Sequence, residues 1–194
     1  PEALTAVNRD LRRDLNAAWK MFMADEEAWV AILTGAGDRA FCAGADLTER
    51  SSDGRPIAKV DAADLFSRFS RSPKVYVGRI AGHCVAGGMG LAAAMDLSVA
   101  IDDAKFGFTE VRRGLAPAMI SVLCLPRMRP ADAAEAMLLG NRMTGADAAR
   151  MGLVNRAVPA DELDDVVDGF VADLIAEDAN SPEFGKKVDQ LTNM

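Results

Sequence analysis

Residues 75–100 carry the pattern that most constrains the fold. An apolar run at Val75–Ile80 is followed by a glycine-rich turn, an alanine-rich helical segment and another apolar run that ends near Ala100. Strand, glycine loop, helix and strand in this order predict a βαβ unit, whose two strands lie parallel in one sheet. The chain is therefore predicted to be an α/β protein.

Elements on either side of this unit follow from the spacing of apolar residues. A helical stripe runs from Val7 to Phe22, and a short apolar run at Trp29–Thr34 predicts a buried strand that a Gly-Ala-Gly-Asp loop ends. Further along, the pattern predicts helices that begin at Pro130 and Thr144, a helix end at Gly152, a strand at Val154–Val158 and an amphipathic helix across Leu163–Ile175.

Size and composition limit the class of protein. A chain of 194 residues with 50% hydrophobic content can bury the core of one soluble domain. The net charge of −7 provides no basic surface for a phosphate backbone, so we expect no nucleic-acid partner. No apolar run approaches the roughly 20 residues that cross a bilayer, so we expect no membrane anchor. Three cysteines without a signal-peptide pattern favour free thiols in the cytoplasm.

Two glycine-bearing turns follow predicted buried strands, at residues 41–47 and 86–90. Small residues allow the backbone N–H groups of such turns to approach a ligand closely, and the second turn opens a helix, whose N-terminus favours negative charge. Together the turns can form an oxyanion hole with two donors. The alternative interpretation is that the glycines only permit tight turns between strand and helix.

Glu110 is the candidate for proton transfer. It follows an apolar segment and precedes Arg112 and Arg113. A glutamate beside an apolar pocket can have a raised pKa and act as a general base or acid. The alternative is a salt bridge to one of the two arginines.

His83 and Asp96 are weaker candidates for a catalytic role. His83 is the one histidine of the chain and is interpreted as a satisfied or partly exposed side chain at a strand end, although a base remains the alternative. Asp96 is expected to cap or brace a turn. No second His or Cys stands at the spacing of metal ligands, so no metal is expected.

Four segments in succession resemble the signatures of the enoyl-CoA hydratase/isomerase (crotonase) family, and the match covers about residues 1–158. The segments are RAFCAGADL (39–47), VAGGMGLAAAMDLSVA (85–100), FGFTEVRRGLAP (106–117) and MTGADAARMGLVNRAV (143–158). The resemblance implies a core built as a spiral of ββα turns, followed by C-terminal helices, and an acyl-CoA substrate with no separate cofactor. It also implies a homotrimer or a hexamer.

The same resemblance implies roles for individual residues. It assigns the oxyanion-hole N–H groups to Ala45 and Gly87 and the catalytic carboxylate to Glu110. The path of the CoA moiety is implied along Ala3, Leu4, Ala43, Asp46 and Leu47.

The ends of the chain carry three further expectations. Residues 1–158 would form the core and residues 159–194 a helical trimerisation segment, in which the apolar stripe at 163–174 is expected to need a partner surface. Since the chain opens at Pro1 and soon enters a helical pattern, we also expect N-terminal strands to be missing.

Gly90 departs from the family pattern. Hydratases with two carboxylates have their first glutamate at this position, three residues after the oxyanion glycine. A single carboxylate favours proton shuttling, as in a Δ3,Δ2-enoyl-CoA isomerase. However, TEVRRGLAPAMIS (109–121) resembles the methylglutaconyl-CoA hydratase-like bacterial branch, in which a small residue also occupies that position. Hydratase is therefore the first expectation, isomerase the second, and a catalytically silent acyl-CoA-binding protein the third.

Overall fold

The computed structural model describes residues 8–44, 66–69 and 72–176. Its larger sheet consists of four parallel strands, which lie side by side in the order β1, β3, β5 and β7. The strands are β1 (Val30–Thr34), β3 (Val75–Ile80), β5 (Leu97–Ile101) and β7 (Arg156–Val158). Nearly every residue of β3 is buried, which is why this strand appears in the sequence as a continuous apolar run.

A second sheet contains the three strands that the chain forms between those of the first. These are β2 (Ala40–Cys42), β4 (His83–Val85) and β6 (Phe106–Gly107), again all parallel. The chain therefore alternates between the two sheets from β1 to β7. This alternation confirms the predicted spiral of repeated turns with α/β composition.

Helices begin and end where local chemistry predicts. The helices are α1 (Arg9–Ala24), α2 (Gly87–Ala93), α3 (Ala118–Cys124), α4 (Pro130–Leu139), α5 (Gly145–Arg150) and α6 (Leu163–Ala176), with 3-10 turns at Thr109–Arg113 and Ala160–Glu162 and helical backbone at 66–69. Pro130 is the first residue of α4, and a capping box joins Thr144 to Asp147 at the start of α5. Gly152, just past α5, has a φ of +89°.

The outer face of the larger sheet is covered by α6. Leu163 and Val167 are almost fully buried against Val75, Val77 and Val99. Val166, Phe170, Val171 and Leu174 pack against the same cluster but are only partly buried, and the role of residues 159–194 in trimerisation stays a prediction. In the part of the chain that the structure describes, no helix is long and apolar enough to cross a membrane.

Candidate active site

The turn between β4 and α2 is held in an unusual backbone conformation. Ala86 has φ 49° and ψ −122°, and it is the one non-glycine residue with positive φ among the described residues. Its N–H donates to the carbonyl oxygen of Gly107 at 3.0 Å, and its carbonyl accepts from Met89 N–H at 2.9 Å. Such a conformation costs on the order of 1–3 kcal/mol and is found mainly where function requires it.

Gly87 is the first residue of α2. The first N–H groups of an α-helix have no partner within the helix, so the Gly87 N–H is available to an outside acceptor. The strained turn at Ala86 thus fixes the direction of a free donor.

The two glycine-bearing turns lie against each other. A Cβ atom added to Gly44, whose φ is +88°, would lie 2.9 Å from the Cβ of Ala86 and 3.1 Å from the backbone nitrogen of Gly87. A Cβ added to Gly88 would lie only 2.3 Å from the carbonyl oxygen of Cys42. Since β2 and β4 pair in parallel, their carboxyl ends bring both turns to one place.

Only part of the predicted oxyanion hole and CoA path falls within the described residues. Ala43 lies half-buried between β2 and Gly44. Ala45, whose N–H is the second expected donor, lies outside the described residues, as do the CoA-path residues Ala3, Leu4, Asp46 and Leu47. A thioester oxygen shared by Ala45 and Gly87 stays a prediction.

Glu110 lies in the 3-10 turn that follows β6. The side chain is half-buried, and its Oε2 atom is fully buried with no hydrogen-bond partner among the described residues. Burial raises the pKa of Glu110 above its ordinary value, and a hydrogen bond from its own backbone N–H offsets the rise in part. A buried carboxylate oxygen without a partner is costly, and together with the raised pKa it makes Glu110 the candidate proton-transfer group.

Glu110 makes no ion pair with Arg112 or Arg113 within the described ranges. Arg112 turns away from it: the Nε atom donates to the carbonyl oxygen of Gly140 at 2.8 Å, and a terminal nitrogen lies 3.4 Å from Oδ1 of Asn141. The salt-bridge interpretation of Glu110 is therefore wrong. The carboxylate is left to act on something other than the neighbouring arginines.

His83 and Asp96 have structural surroundings. His83 is exposed, its Nδ1 accepts from Lys105 N–H at 3.2 Å, and partial burial together with the charge of Lys105 lowers its pKa. Asp96 accepts the N–H of Tyr76 through Oδ2 at 2.8 Å, which braces the start of β3, and burial raises its pKa. Neither residue makes a contact that suggests catalysis.

An apolar groove of about 480 Å³ lies beside the 3-10 turn of Glu110. Its lining consists of Val111, Gly114, Leu115, Ala116, Pro117, Ala118, Ser121, Met137 and Leu138. Reasoning from the sequence missed Met137 and Leu138, because nothing in the pattern of α4 shows which helix it faces. The other lining residues fall within the segment TEVRRGLAPAMIS (109–121), which carries part of the family resemblance.

The site combines two small-residue turns with a partly buried carboxylate, and both lie on a spiral of two parallel sheets. This combination is typical of enzymes that act on acyl thioesters. The family model described as enoyl-CoA hydratase/isomerase matches residues 1–188. The chain belongs to the enoyl-CoA hydratase/isomerase family.

Individual relatives agree with this assignment. A carnitinyl-CoA dehydratase of Proteus mirabilis is 36% identical over 178 residues, which is 90% of this chain and 67% of the relative. A probable enoyl-CoA hydratase of Mycobacterium bovis is 35% identical over 167 residues, 84% of this chain and 64% of the relative. The crystal structure of an enoyl-CoA hydratase of Mycobacterium smegmatis superposes with a TM-score of 0.83 at 26% identity, covering 99% of this chain and 82% of that one. The chain thus spans about two thirds of the length of the two curated relatives, the carnitinyl-CoA dehydratase and the probable enoyl-CoA hydratase.

Proposed function

We propose that this protein hydrates 2-enoyl-CoA thioesters. The observation that carries the proposal is the buried Oε2 of Glu110, which has no partner in the part of the chain that the structure describes. A carboxylate with a raised pKa and a free oxygen is prepared to exchange protons with a substrate. The thioester oxygen is held by the N–H groups of Ala45 and Gly87, which stabilise the enolate that forms.

The proposed reaction balances with one carboxylate. Glu110 removes a proton from water while the water oxygen bonds to C3 of the substrate, and the electrons of the double bond move onto the thioester oxygen. Protonated Glu110 then gives its proton to C2 as the thioester carbonyl re-forms. The product is the 3-hydroxyacyl-CoA, and Glu110 is again ionised.

The comparisons favour hydration over double-bond migration. The two curated relatives described above are named as a dehydratase and a probable hydratase, so both names describe adding or removing water. An isomerase needs only the proton shuttle and remains the second candidate because residue 90 lacks a carboxylate. The narrower resemblance to methylglutaconyl-CoA hydratases is not decided by these relatives and stays a prediction.

Substrate and surroundings are proposed on the same basis. The CoA moiety follows Ala3, Leu4, Ala43, Asp46 and Leu47, and no cofactor is needed beyond the CoA of the substrate. The acidic balance of the chain disfavours nucleic acid, and the free thiols favour the cytoplasm. A silent acyl-CoA-binding protein is disfavoured, because it would gain nothing from an unpartnered buried carboxylate.

A homotrimer or hexamer is proposed, with residues 159–194 contributing to it. The support comes from large apolar side chains on the surface near the groove, since Leu115, Val122 and Leu138 are 61%, 70% and 73% exposed. Analytical ultracentrifugation of the full chain should give at least three times the protomer mass. A stable monomer at micromolar concentration would contradict the assembly.

Glu110→Gln tests the function, because it keeps the size of the side chain and removes the base. The turnover of 2-enoyl-CoA should fall by roughly 10²–10⁴-fold, while acyl-CoA binding changes little. Products from 2-enoyl-CoA and 3-enoyl-CoA panels, separated by mass, distinguish hydration from isomerisation. The matched control is Glu162→Gln, an exposed glutamate outside the site, which should keep the activity of the parent. Equal turnover in Glu110→Gln and the parent would exclude the mechanism.

A further inference from the structure

The space beside Gly90 is filled by a neighbouring helix. Gly90 is buried in α2 one turn after Gly87, and residues three apart in a helix lie on neighbouring parts of one face. A Cβ atom added to Gly90 would lie 2.5 Å from Cγ2 and 3.0 Å from Cβ of Ile120, and 3.5 Å from Cε2 of Phe66. Ile120 and Phe66 are 3% and 5% exposed.

Ile120 cannot easily move out of this space. The two atoms that meet the added Cβ belong to its β-branch, next to the backbone of α3, rather than to the far end of a flexible chain. A β-branched side chain in a helix has one strongly preferred χ1 rotamer, so rotation offers little relief. Cys124, one turn further along α3, also touches the carbonyl oxygen of Met89 in α2 through its thiol, at 3.7 Å. Larger residues at position 90 therefore require α3 to shift.

Ile120 also determines what surrounds the reacting groups. Glu110 lies near α3, since its neighbour Val111 lines one groove together with Ala118 and Ser121 of α3. A branched apolar side chain between α2 and α3 holds no water and accepts no proton. With Ile120 in place, the face of α2 beyond Gly87 presents hydrocarbon where a second carboxylate would otherwise stand.

We infer that Ile120 is a specificity-determining residue that keeps the site to a single carboxylate. Its β-branch and Gly90 form a complementary pair: the glycine makes room for the isoleucine, and the isoleucine excludes a side chain at residue 90. Activation of the water in the proposed hydration therefore depends on Glu110 alone. This inference rests on the proposed function for its chemistry, and on the packing of Gly90 and Ile120 for its geometry.

The packing is tested by the melting temperatures of a set of variants. Gly90→Ala should lower the Tm of the parent by about 2–12 °C, the shift expected of an overpacked core in a chain of this size. In an Ile120→Ala background, which removes Cγ2 but keeps Cβ at 3.0 Å from the added atom, the same Gly90→Ala change should lower the Tm by less than in the parent. Ile120→Val is the matched control, because valine keeps the β-branch and should preserve the cost of Gly90→Ala. An equal Tm loss in all three backgrounds would overturn the inference.

The chemistry is tested by the pH dependence of hydration. The parent should show one ionisation on the acidic limb of kcat/KM, since a single carboxylate must be charged. Gly90→Glu combined with Ile120→Ala should introduce a second, coupled ionisation and raise hydration over Ile120→Ala alone by up to about 10²-fold. A folded double variant with one ionisation and no gain would refute the role of Ile120. Failure of the proposed function would be recognised separately, as a parent protein that hydrates no 2-enoyl-CoA while the Tm pattern still holds.

Discussion

Gly88→Ala is a sharp test of the contact between the two glycine-bearing turns. The added Cβ would lie 2.3 Å from the carbonyl oxygen of Cys42 and 3.0 Å from both its carbonyl carbon and its Cβ. Carbon and oxygen atoms in proteins rarely approach more closely than about 3.3 Å, so the contact is short by about 1 Å. The obstacle is backbone, and therefore α2 must move away from the end of β2.

The expected cost follows from this displacement. Overpacking of this kind costs about 1–3 kcal/mol, which for a chain of this size corresponds to a Tm decrease of about 2–12 °C. The effect on activity should be larger, because Gly87 moves with α2. A shift of about 1 Å in a positioned donor lowers activity by about 10²-fold. If the loss of activity is larger than the fraction of unfolded protein explains, the oxyanion donor has been displaced in the folded protein.

The measurement combines thermal melts with the hydration of a 2-enoyl-CoA, assayed at least 15 °C below the Tm of the variant. Gly169→Ala is the matched control: Gly169 is exposed in α6, an added Cβ meets nothing within 4 Å, and the change should stabilise the helix by roughly 0.5–1 kcal/mol with activity retained. A Gly88→Ala protein with the kcat/KM of the parent would show that the spacing of β2 and α2 does not position the donors.

Two other predictions concern stability. Lys74 is buried, and its Nζ donates to the carbonyl oxygens of Phe22, at 2.7 Å, and Asp25 at the end of α1, so Lys74→Met should destabilise the protein by about 1.5–3 kcal/mol in urea titrations. The exposed Lys105→Met should change stability by less than about 0.5 kcal/mol, and an equal loss in both variants would contradict the helix-capping role. For Glu110, the folded pKa is raised, so the unfolded chain loses its proton first and ionisation destabilises the fold as pH rises above about 4.5. Glu110→Gln should therefore gain stability over the parent between pH 4 and pH 8, and a relative loss would show that burial does not raise this pKa.

Long elements with a clear period could be predicted from the sequence. The prediction of Val75–Ile80 matches β3, and the predicted helix Leu163–Ile175 differs from α6 by one residue at its end. The predicted strand at 154–158 begins two residues too early, because Val154 is buried outside the sheet. Strands of the second sheet contain only two or three residues each, too few for a period to be recognised, and their partners come from other turns of the spiral.

The candidate site, too, could be predicted only where its signals are local in the sequence. Glycine-bearing turns and a glutamate after an apolar segment are local signals, and the structure brings the described parts of both turns into contact. The direction of a side chain is not a local signal. Arg112 and Arg113 stand close to Glu110 in the sequence, yet Arg112 donates to Gly140 because α4 ends beside the 3-10 turn. Neighbours in sequence therefore indicated an ion pair that the tertiary fold does not form.

Gly90 and Ile120 show why the missing carboxylate could not be interpreted from its own position. A glycine in place of a glutamate can leave a cavity, admit water, or make room for another group, and these outcomes predict different chemistry. The distinction depends on a residue 30 positions away in another helix, whose β-branch meets the glycine only after α3 packs on α2. Because the space is filled with hydrocarbon, replacing Gly90 alone by glutamate should disrupt packing before it adds a base. The two positions must therefore be changed together before the effect of a second carboxylate on hydration can be measured.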